Sequence, residues 1–450
     1  MSVVKKFSVP RGTCDTLPSE IHQWHHIENT ARRLFSVYGY REVRTPYFEE
    51  TGLFARSLGQ TSDVVQKQML NLFFSAKEEG ENRPQNKSRD DQPTAGLSLR
   101  PEATASIVRS YIENSFHKKE SLSKFYYIGP MFRGERPQKG RLRQFHQIGV
   151  EAIGPDSSSP YLDAEVIALS VQLLNDFGLT GFQLKINSLG SPEDKKKLSD
   201  VLRAALQKDL AKLCPDCQNR FERNVFRILD CKNLECKTIV SQLKRTESHL
   251  SKSSQAYFSE VKDALTILNV PFEVSPYLVR GLDYYTHTVF EISHSSLGSQ
   301  DALGAGGRYN SLLTDLGADA EDSIGAIGFA LGIERILLVR NSQIQDTTPS
   351  HMDVFIVTLD PQGRQDAFTT GFKILREVRS KGISAEMNYA RASLKSQMRL
   401  ADKLGARYVV IIGENELKEQ MAVLKDMEQS LQDKIQFNKI STSLKEKLKG

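Results

Sequence analysis

The chain has 450 residues, of which 39% are hydrophobic and 26% are charged, and its formal net charge is +5. This length predicts two or three domains, and the composition is ordinary for a globular enzyme. The charge is too small to indicate a nucleic-acid-binding protein by itself, so a polyanion would have to bind local basic patches.

Membrane and secretory proteins are disfavoured by the sequence. No apolar run approaches the roughly 18 residues that a membrane span needs, and the N-terminal segment has no apolar signal-peptide core. The 5 cysteines do not make a disulfide framework, and their odd number fits a reducing compartment. We therefore expect a cytoplasmic protein that binds no membrane.

The N-terminal part predicts a helix, an interrupted strand and a loop. Apolar residues recur at helical spacing from Ile21 to Tyr38, and Gly39 ends the run. The next segment, REVRTPYFEE, predicts a strand that Pro46 interrupts, as at an edge or an interface. Residues 75–96 are polar and rich in turn-forming residues, so they predict a surface loop.

The middle of the chain predicts a sheet with a helical insertion. Two strand-like runs, KFYYIGPMFRGE and RLRQFHQIGVEAIG, flank a turn at RPQKG and predict an antiparallel hairpin. A helix over 161–177 and a strand, FQLKINSL, come next. Residues 191–270 are rich in lysine and lack alternation, which predicts an inserted helical domain. Strand patterns return in FEVSPYLVRGLDYYTHTVFEIS.

The C-terminal part predicts a separate α/β domain. The segment NSQIQDTTPS resembles a linker, and beyond it strands and helices alternate as βαβαβ, which predicts a largely parallel sheet. We expect one domain over 1–345 and a second over 346–450. A basic row in the second domain is either an RNA-binding face or an ordinary solvated face: Arg391, Lys395, Arg399 and Lys403.

The hairpin carries the first candidate site. Side chains alternate along a strand, so the second strand is predicted to present Arg141, Arg143, Phe145, Gln147 and Glu151 on one face. Guanidinium groups, a ring, an amide and a carboxylate in this order suit a ligand with a phosphate, a base and a cationic end. The alternative to a ligand site is a solvent-exposed edge hairpin whose charges are scattered for solubility.

Three further stretches supply matching groups. LRPEAT contains Glu102 and Thr104, RGLDYYT contains Arg280 beside two tyrosines, and GFALGIER ends in Arg335. The chain has no GxxxxGK[ST] loop, and GAGGRY lacks the helix and acid of a dinucleotide fold. If a nucleotide binds, arginines therefore hold its phosphates.

At these residues the sequence resembles the class II aminoacyl-tRNA synthetases, and within them the histidyl-tRNA synthetases. FRGERPQKGRLRQF with Glu151 is similar to their second signature, GFALGIER to the third, and EVRTPYFEETGLF to the first, which forms dimers. LVRGLDYYTHTVFEI and GAGGRY resemble the two histidine blocks, and RASLKSQMRLADKLGARYVVIIGE resembles the anticodon-binding domain. The implied fold is an antiparallel sheet flanked by helices, with a helical insertion and a C-terminal α/β anticodon-binding domain.

The resemblance implies a role for each candidate residue. The enzyme would join L-histidine to ATP as histidyl-adenylate and then transfer histidine to the terminal ribose of its tRNA, as a homodimer that uses Mg²⁺. The implied catalytic residues are Arg133, Arg280 and Arg335. The implied ATP-binding residues are Arg133, Glu135, Arg141, Phe145 and Arg335. The implied histidine-binding residues are Glu102, Thr104, Arg133, Gln147, Glu151, Arg280, Tyr284, Tyr285 and Tyr309. The implied contacts of the tRNA acceptor end are Gln138 and Arg143.

Two alternatives accompany this function. One is the non-catalytic, synthetase-like regulatory subunit of ATP phosphoribosyltransferase, which resembles the catalytic domain but lacks the anticodon domain and typically loses catalytic arginines. The other is a class II synthetase for a different amino acid, which the two histidine blocks disfavour.

Four cysteines of the insertion form a pattern of their own. CPDC is followed by a looser CKNLEC, a spacing that resembles a four-thiolate zinc site or, alternatively, a set of reduced thiols. Because these residues lie in the insertion, they are expected away from the pocket motifs, which disfavours catalytic zinc. The four are Cys214, Cys217, Cys231 and Cys236.

Overall fold

The computed structural model describes residues 6–60, 62–72, 96–243, 246–298, 301–319, 323–344, 352–360, 366–390 and 392–448. The chain divides into two compact units, residues 1–344 and 345–450. The predicted loop 75–96 lies, apart from Gly96, outside the described residues. In the part of the chain that is described, no helix is both long enough and apolar enough to cross a membrane.

The first unit is built around strands of very different length. Its strands are β1 (Arg41–Glu42), β2 (Phe48–Glu50), β3 (Leu70–Leu72), β4 (Leu97–Leu99), β5 (Ser123–Phe132), β6 (Gln144–Gly154), β7 (Gln183–Ser188), β8 (Glu273–Val274), β9 (Thr286–Ser293), β10 (Ala302–Arg308) and β11 (Gly325–Gly332). Eight of them form one sheet in the order β1-β5-β6-β11-β10-β9-β7-β8, and β2-β4-β3 form a small second sheet.

The large sheet is antiparallel except at its edges, where β1 pairs with β5 and β7 pairs with β8 in parallel. The predicted hairpin is confirmed as β5 and β6, with Phe132 opposite Gln144 next to the turn. The segment around Pro46 is not one interrupted strand. It forms β1 and β2, which belong to different sheets, because proline cannot continue a hydrogen-bonded ladder.

Helices cover both faces of the large sheet. They are α1 (Ile21–Val37), α2 (Thr51–Leu58), α3 (Thr104–Glu113), α4 (Pro160–Asp176), α5 (Pro192–Leu206), α6 (Pro215–Arg223), α7 (Phe226–Leu229), α8 (Leu234–Ser241), α9 (Lys252–Ile267), α10 (Asn310–Asp315) and α11 (Ile333–Gln343). The described residues between β7 and β8 contain helices and no strand, so the predicted helical character of this stretch is confirmed.

The insertion begins at a strong helix start. Ser191 caps α5 by accepting from the backbone N–H of Asp194, and the Asp194 carboxylate accepts from the N–H of Ser191 in return. The last insertion helix, α9, belongs to the main core. Its Phe258 and Leu265 are buried in the same apolar cluster as α4 and the sheet.

A buried ion pair joins α4 to β10. The side chains of Asp163 and Arg308 are 0% and 1% exposed. Arg308 Nε donates to Asp163 Oδ1 at 3.1 Å, and the Tyr257 hydroxyl donates to Oδ2 at 3.2 Å. Removing one partner of such a pair leaves a buried charge uncompensated, which costs more than the pair itself contributes.

Replacing Asp163 with asparagine is therefore expected to destabilise the first unit by about 3–5 kcal/mol. Urea unfolding followed by the fluorescence of Trp24 measures this, because Trp24 is the 1 tryptophan of the chain and is buried in this unit. The control Glu28→Gln breaks the exposed pair with Arg32 on α1 and should cost less than about 1 kcal/mol. Equal losses in the free energy of unfolding of both variants would contradict the conclusion that Asp163 belongs to a buried ion pair that the first unit needs.

The second unit is the α/β domain that the sequence predicts. Its elements are β12 (Val354–Thr358), α12 (Asp366–Ser380), β13 (Ala385–Met387), α13 (Leu394–Lys403), β14 (Tyr408–Ile412), α14 (Glu414–Glu419), β15 (Met421–Asp426), β16 (Gln432–Gln436) and α15 (Ile440–Lys447). The strands β13, β12 and β14 are parallel, and β15 and β16 continue the sheet as an antiparallel hairpin that the sequence did not predict. Of the basic row, Arg391 lies outside the described residues, and Lys395, Arg399 and Lys403 are exposed on α13.

Candidate active site

A cleft of about 780 Å³ opens over the central strands of the large sheet. Residues of β6, β9, β10 and β11 line it, together with the first turns of α3 and α11 and part of the insertion. Every candidate residue for ATP and histidine lines this one cleft. The candidates for the tRNA acceptor end, Gln138 and Arg143, do not line it.

Glycines leave room for large side chains on neighbouring strands of the sheet. Gly328 on β11 faces Glu151 on β6, and a Cβ at Gly328 would lie 1.8 Å from Glu151 Oε2. A Cβ at Gly149 would lie 2.4 Å from the Tyr127 ring. The glycine-rich strands therefore leave the space that the carboxylate of Glu151 occupies.

Glu151 ends in a buried polar corner. The residue is 1% exposed, Thr104 Oγ1 donates to its Oε1 at 2.6 Å, and the Tyr309 hydroxyl donates to its Oε2. Burial raises the pKa of this carboxyl to about 8, although both hydrogen bonds favour the charged form. Its hydrogen bonds go to a threonine and a tyrosine, and Arg141 pairs instead with Glu135 at 3.0 Å.

Other candidates of the histidine set surround this corner. Glu102 accepts from the backbone N–H groups of Thr104 and Ala105, the first two residues of α3, at 2.8 and 2.9 Å, and burial raises its pKa. The amide oxygen of Gln147 is buried and has no hydrogen-bond partner among the described residues. Tyr284 packs against Tyr285 and Tyr309, with ring centroids 4.5 and 5.7 Å away.

Arg280 lies on the loop before β9. Its guanidinium donates to Glu291 Oε2, while its Nε is buried and has no partner in the described part of the chain. Glu291 also lines the cleft, and the sequence analysis did not single it out. The signal was present, because Glu291 is a lone acid in the apolar strand THTVFEIS, as Glu151 is in its own strand.

Arg133 and Arg335 are the remaining catalytic candidates in the cleft. The Arg133 guanidinium lies 5.2 Å from the centre of the Phe145 ring, and Arg133 Nε donates to Pro101 O at 2.9 Å. Arg335, in the first turn of α11, donates through Nε to Gly140 O at 2.9 Å. Burial lowers the pKa of both groups from the arginine value, yet arginine stays charged in proteins.

The acid next to Arg335 has another partner. Glu334 accepts from the backbone N–H of His146 at 2.9 Å and contacts His146 Nδ1 at 2.9 Å. Glu334 is therefore held by His146. A local pair with Glu334 is the ordinary alternative to a phosphate role for Arg335, and it is not what holds Glu334.

The hairpin turn differs from the alternating face that the sequence predicts. Strand β6 begins at Gln144, so Arg141 and Arg143 precede it and do not follow its alternation. Arg141 lines the cleft, whereas Arg143 donates to Glu135 O at 3.3 Å and to Arg11 O at 3.4 Å. Gln138 lines a neighbouring groove with Lys67, Arg136 and Arg141.

The insertion forms one wall of the cleft. The sequence predicts cysteines remote from the pocket motifs, but Cys214 and Cys231 line the cleft itself. The reason is the packing of the insertion, since Arg220 and Arg227 both reach Asp63 Oδ2, at 3.5 and 3.6 Å.

The insertion also holds the loop that carries Arg280 and the tyrosine pair. Lys195 Nζ donates to the carbonyls of Asp283 and Tyr285 at 2.5 and 3.1 Å. The amide of Asn224 donates to the Asp283 carboxylate.

Comparison with known proteins agrees with this geometry. The family model of histidyl-tRNA synthetase matches residues 12–336, and that of the anticodon binding domain matches residues 353–447. A histidine–tRNA ligase of Halothermothrix orenii is 44% identical over 93% of this chain and 94% of its own length. One of Syntrophotalea carbinolica is 40% identical over 98% of both chains.

Solved structures lead to the same family. The apo histidyl-tRNA synthetase of S. aureus has 34% sequence identity and a TM-score of 0.77, covering 98% of this chain and 100% of that one. A protein of Bacillus halodurans described as an ATP phosphoribosyltransferase regulatory subunit/histidyl-tRNA synthetase shares the fold, with a TM-score of 0.62 at 20% identity. The chain belongs to the histidyl-tRNA synthetase family, the class II aminoacyl-tRNA synthetases that attach histidine to its tRNA.

Proposed function

We propose that the cleft of the first unit forms histidyl-adenylate from L-histidine and ATP and then transfers histidine to the tRNA. The observation that carries this proposal is one cavity lined by two unlike sets of groups. A buried corner of Glu151, Thr104 and Tyr309 and several arginines line the same cavity. A cationic amino acid and a triphosphate fit these two sets by charge.

Histidine would bind at the corner. Glu151, Glu102, Thr104 and Gln147 would offer oxygen acceptors to the α-ammonium and imidazole N–H groups, and Tyr284, Tyr285 and Tyr309 would line the ring. The unpartnered oxygen of Gln147 supports this role, since a buried acceptor without a donor is costly unless a ligand supplies one.

ATP would bind along the arginines. Arg335 and Arg141 would hold its outer phosphates, with Glu135 near the base. Adenine would stack on the face of Phe145 that Arg133 does not cover. Arg133 would contact both the histidine carboxylate and the α-phosphate, which brings the reacting atoms together.

Arg280 would stabilise the charge that develops at the α-phosphate during the attack. Its unpartnered Nε supports this role, because it leaves one donor of a positioned guanidinium for the ligand. A general base is not required, since the attacking carboxylate of histidine is already ionised at neutral pH.

Mg²⁺ fits the ATP end of the cleft by ligand type. Glu135 and Asp301 line that end and both interact with Arg335, so hard oxygen ligands lie beside the expected phosphates. Bound there, the ion would neutralise charge on the leaving pyrophosphate.

The tRNA would meet both units. Gln138 lies in a groove of about 620 Å³ that shares Gln68, Glu135 and Arg141 with the cleft, and this continuity supports an acceptor end at the hairpin turn. Arg143 would support that turn through its bonds to backbone carbonyls. Residues 1–345 would form the catalytic domain and 346–450 the anticodon-binding domain, whose exposed α13 is a candidate RNA face.

The assembly and the location are proposed from the exposure of two aromatic side chains and from the state of the cysteines. Tyr47 and Phe48, next to Pro46 in the segment that resembles the dimer-forming signature, are about half exposed, as expected of a surface that a second copy covers in a homodimer. All 5 cysteines are free thiols, which fits a cytoplasmic protein.

Pyrophosphate exchange, run separately with each of the twenty amino acids, tests the function. The full chain should exchange with histidine far faster than with any other amino acid. A chain that ends at residue 344 should keep this exchange but charge tRNA poorly, because the second unit has its own core. No exchange with any amino acid would favour the regulatory alternative, and full charging by the shortened chain would contradict the anticodon role.

A further inference from the structure

We propose that Cys214, Cys217, Cys231 and Cys236 form a structural binding site for one zinc ion in the insertion. The four sulfur atoms all lie within 4.8 Å of one another, and those of Cys214 and Cys231 are 3.8 Å apart. In a tetrahedral site with Zn–S bonds of about 2.3 Å, neighbouring sulfur atoms are about 3.8 Å apart. The cluster therefore has the size of a closed four-thiolate site.

Disulfide bonds do not explain this arrangement. A disulfide requires a sulfur–sulfur distance of about 2.05 Å, and all four residues are free thiols. Cys217, Cys231 and Cys236 are buried, although the segment around them is otherwise polar and partly exposed. Apolar packing explains why the thiols are buried, but it does not require four sulfur atoms to meet in one small space, whereas a shared metal ion gives each of them a bond.

The backbone is arranged to support thiolates. The N–H of Cys214 donates to Cys236 Sγ at 3.3 Å, and the N–H of Cys217 donates to Cys214 Sγ. Cys217 and Cys236 each lie at the third position of their helices, α6 and α8, where the helix dipole favours negative charge.

Two basic side chains lie near the cluster. Four thiolates around Zn²⁺ carry a net charge of about −2, by the ordinary charges of the two species. Arg220 is close enough to Cys217 and Cys231 to interact with both, and the side chain of Lys232 follows Cys231 directly in the cleft wall. These two cations oppose the negative charge of the loaded site, beside the acids Asp216 and Asp230 in the same wall.

The position of the site suggests what the metal does. Between the second and third ligands the chain carries Arg220, Asn224 and Arg227, which contact Asp63 and Asp283. A metal ion bound to Cys217 and Cys231 would fix both ends of this short segment. The cleft wall would then be held against the loop that carries Arg280. The metal site itself is independent of the proposed function, and only this effect on the cleft rests on it.

Metal content and cobalt spectroscopy on the full chain test the site. Protein purified under reducing conditions should contain about one zinc per chain, and Co²⁺ exchanged into it should show the charge-transfer and d–d bands of a tetrahedral thiolate centre. Cys217→Ser and Cys236→Ser should lose most of the metal and these bands. Cys14→Ser is the matched control, because Cys14 is exposed and outside the cluster, and it should keep both.

A second measurement covers variants that fail to fold. In the unmodified chain, a chelator that removes zinc should expose the cluster thiols to a thiol reagent, and added zinc should protect them again. Five reactive thiols and no metal in folded, freshly purified protein would overturn the proposal. Cobalt bands that persist in folded Cys217→Ser protein, or that disappear in Cys14→Ser, would overturn it equally.

The effect on the cleft has its own readout. Removal of zinc should raise the KM for histidine several-fold in pyrophosphate exchange, and zinc should restore it. An unchanged KM in protein that metal analysis shows to be free of zinc would contradict the role in the cleft wall. Absence of exchange in the zinc-loaded protein would instead contradict the proposed function.

Discussion

Replacing Arg280 with alanine should lower the rate of histidine-dependent pyrophosphate exchange by on the order of 10²-fold or more. The wild-type guanidinium is fixed by Glu291 and keeps one donor without a partner. A preorganised charge of this kind acts on the transition state, so kcat should fall more than the KM for ATP rises. Exchange kinetics and a circular dichroism spectrum, compared with the parent chain, measure the loss and the fold.

Two further arginine variants sharpen this experiment. Arg280→Lys keeps the charge but has fewer fixed donors, so it should recover only part of the rate. Arg109→Ala is the matched control, since Arg109 on α3 is also partly buried and paired with carboxylates, Glu49 and Glu113, but lies outside the cleft. If Arg280→Ala stays within a few-fold of the parent, Arg280 does not act on the α-phosphate.

Replacing Glu151 with glutamine should raise the KM for histidine and leave that for ATP almost unchanged. The amide keeps the shape but loses a charge-assisted hydrogen bond of about 1.5–3 kcal/mol, which corresponds to roughly 10- to 150-fold in affinity. The hydrogen bonds of Glu151 come from Thr104 and Tyr309, so the change should not release an arginine from its partner. A selective rise in the KM for ATP would show that histidine binds elsewhere.

The pH dependence of histidine binding should follow from the same carboxyl. Its pKa is raised to about 8, so in the free enzyme it is largely protonated at neutral pH, whereas a cationic ligand favours the carboxylate. Binding must then release a proton, and the KM for histidine should fall as the pH rises from 6.5 towards 8.5, by about tenfold per pH unit at most. Glu151→Gln should lose this component of the profile.

Stability gives an independent control for this variant. A carboxyl whose pKa is raised on folding binds its proton more tightly in the folded state. The free energy of unfolding therefore falls as the pH rises from the pKa of this carboxyl in the unfolded chain towards about 8. Because glutamine cannot ionise, the variant does not lose stability in this way as the pH rises. Glu151→Gln should therefore unfold no earlier than the parent at pH 8, which separates a binding defect from a folding defect.

The sequence predicts the elements of this fold better than their ends. Alternation correctly places Phe145, Gln147 and Glu151 along one side of the cleft, because the strand period applies wherever a ladder exists. It fails for Arg143, which precedes the strand and donates to backbone carbonyls, whereas Arg141 lines the cleft although it too lies before Gln144. In the antiparallel hairpin that was missed, β16 is mostly polar and exposed, so it carries little strand signal. Strand β15 does alternate, with Ala422 and Leu424 buried, but the segment is short and was not singled out.

Long-range contacts account for the rest of what was not predicted. Glu291 and Glu151 are lone acids in apolar strands, but only the pairing of β9, β10, β11 and β6 brings both into one cleft. The cysteines of the insertion reach the cleft wall through ion pairs with Asp63, which lies far from them in sequence. No local sequence pattern contains these long-range contacts. The motifs that resemble the family do give the order of the domains and of the candidate-site segments along the chain.

The attachment of the insertion to the substrate loop has a consequence for protein engineering. Lys195 and Asn224 hold the segment at Asp283 from two sides, and a Cβ at Gly281 would lie 2.9 Å from Arg227. The insertion is thus not a module that can be exchanged between relatives as a cassette. A chimaera would have to include the loop together with Lys195, Asn224 and Arg227. Among relatives, changes in amino-acid specificity and changes in the insertion sequence should therefore occur together.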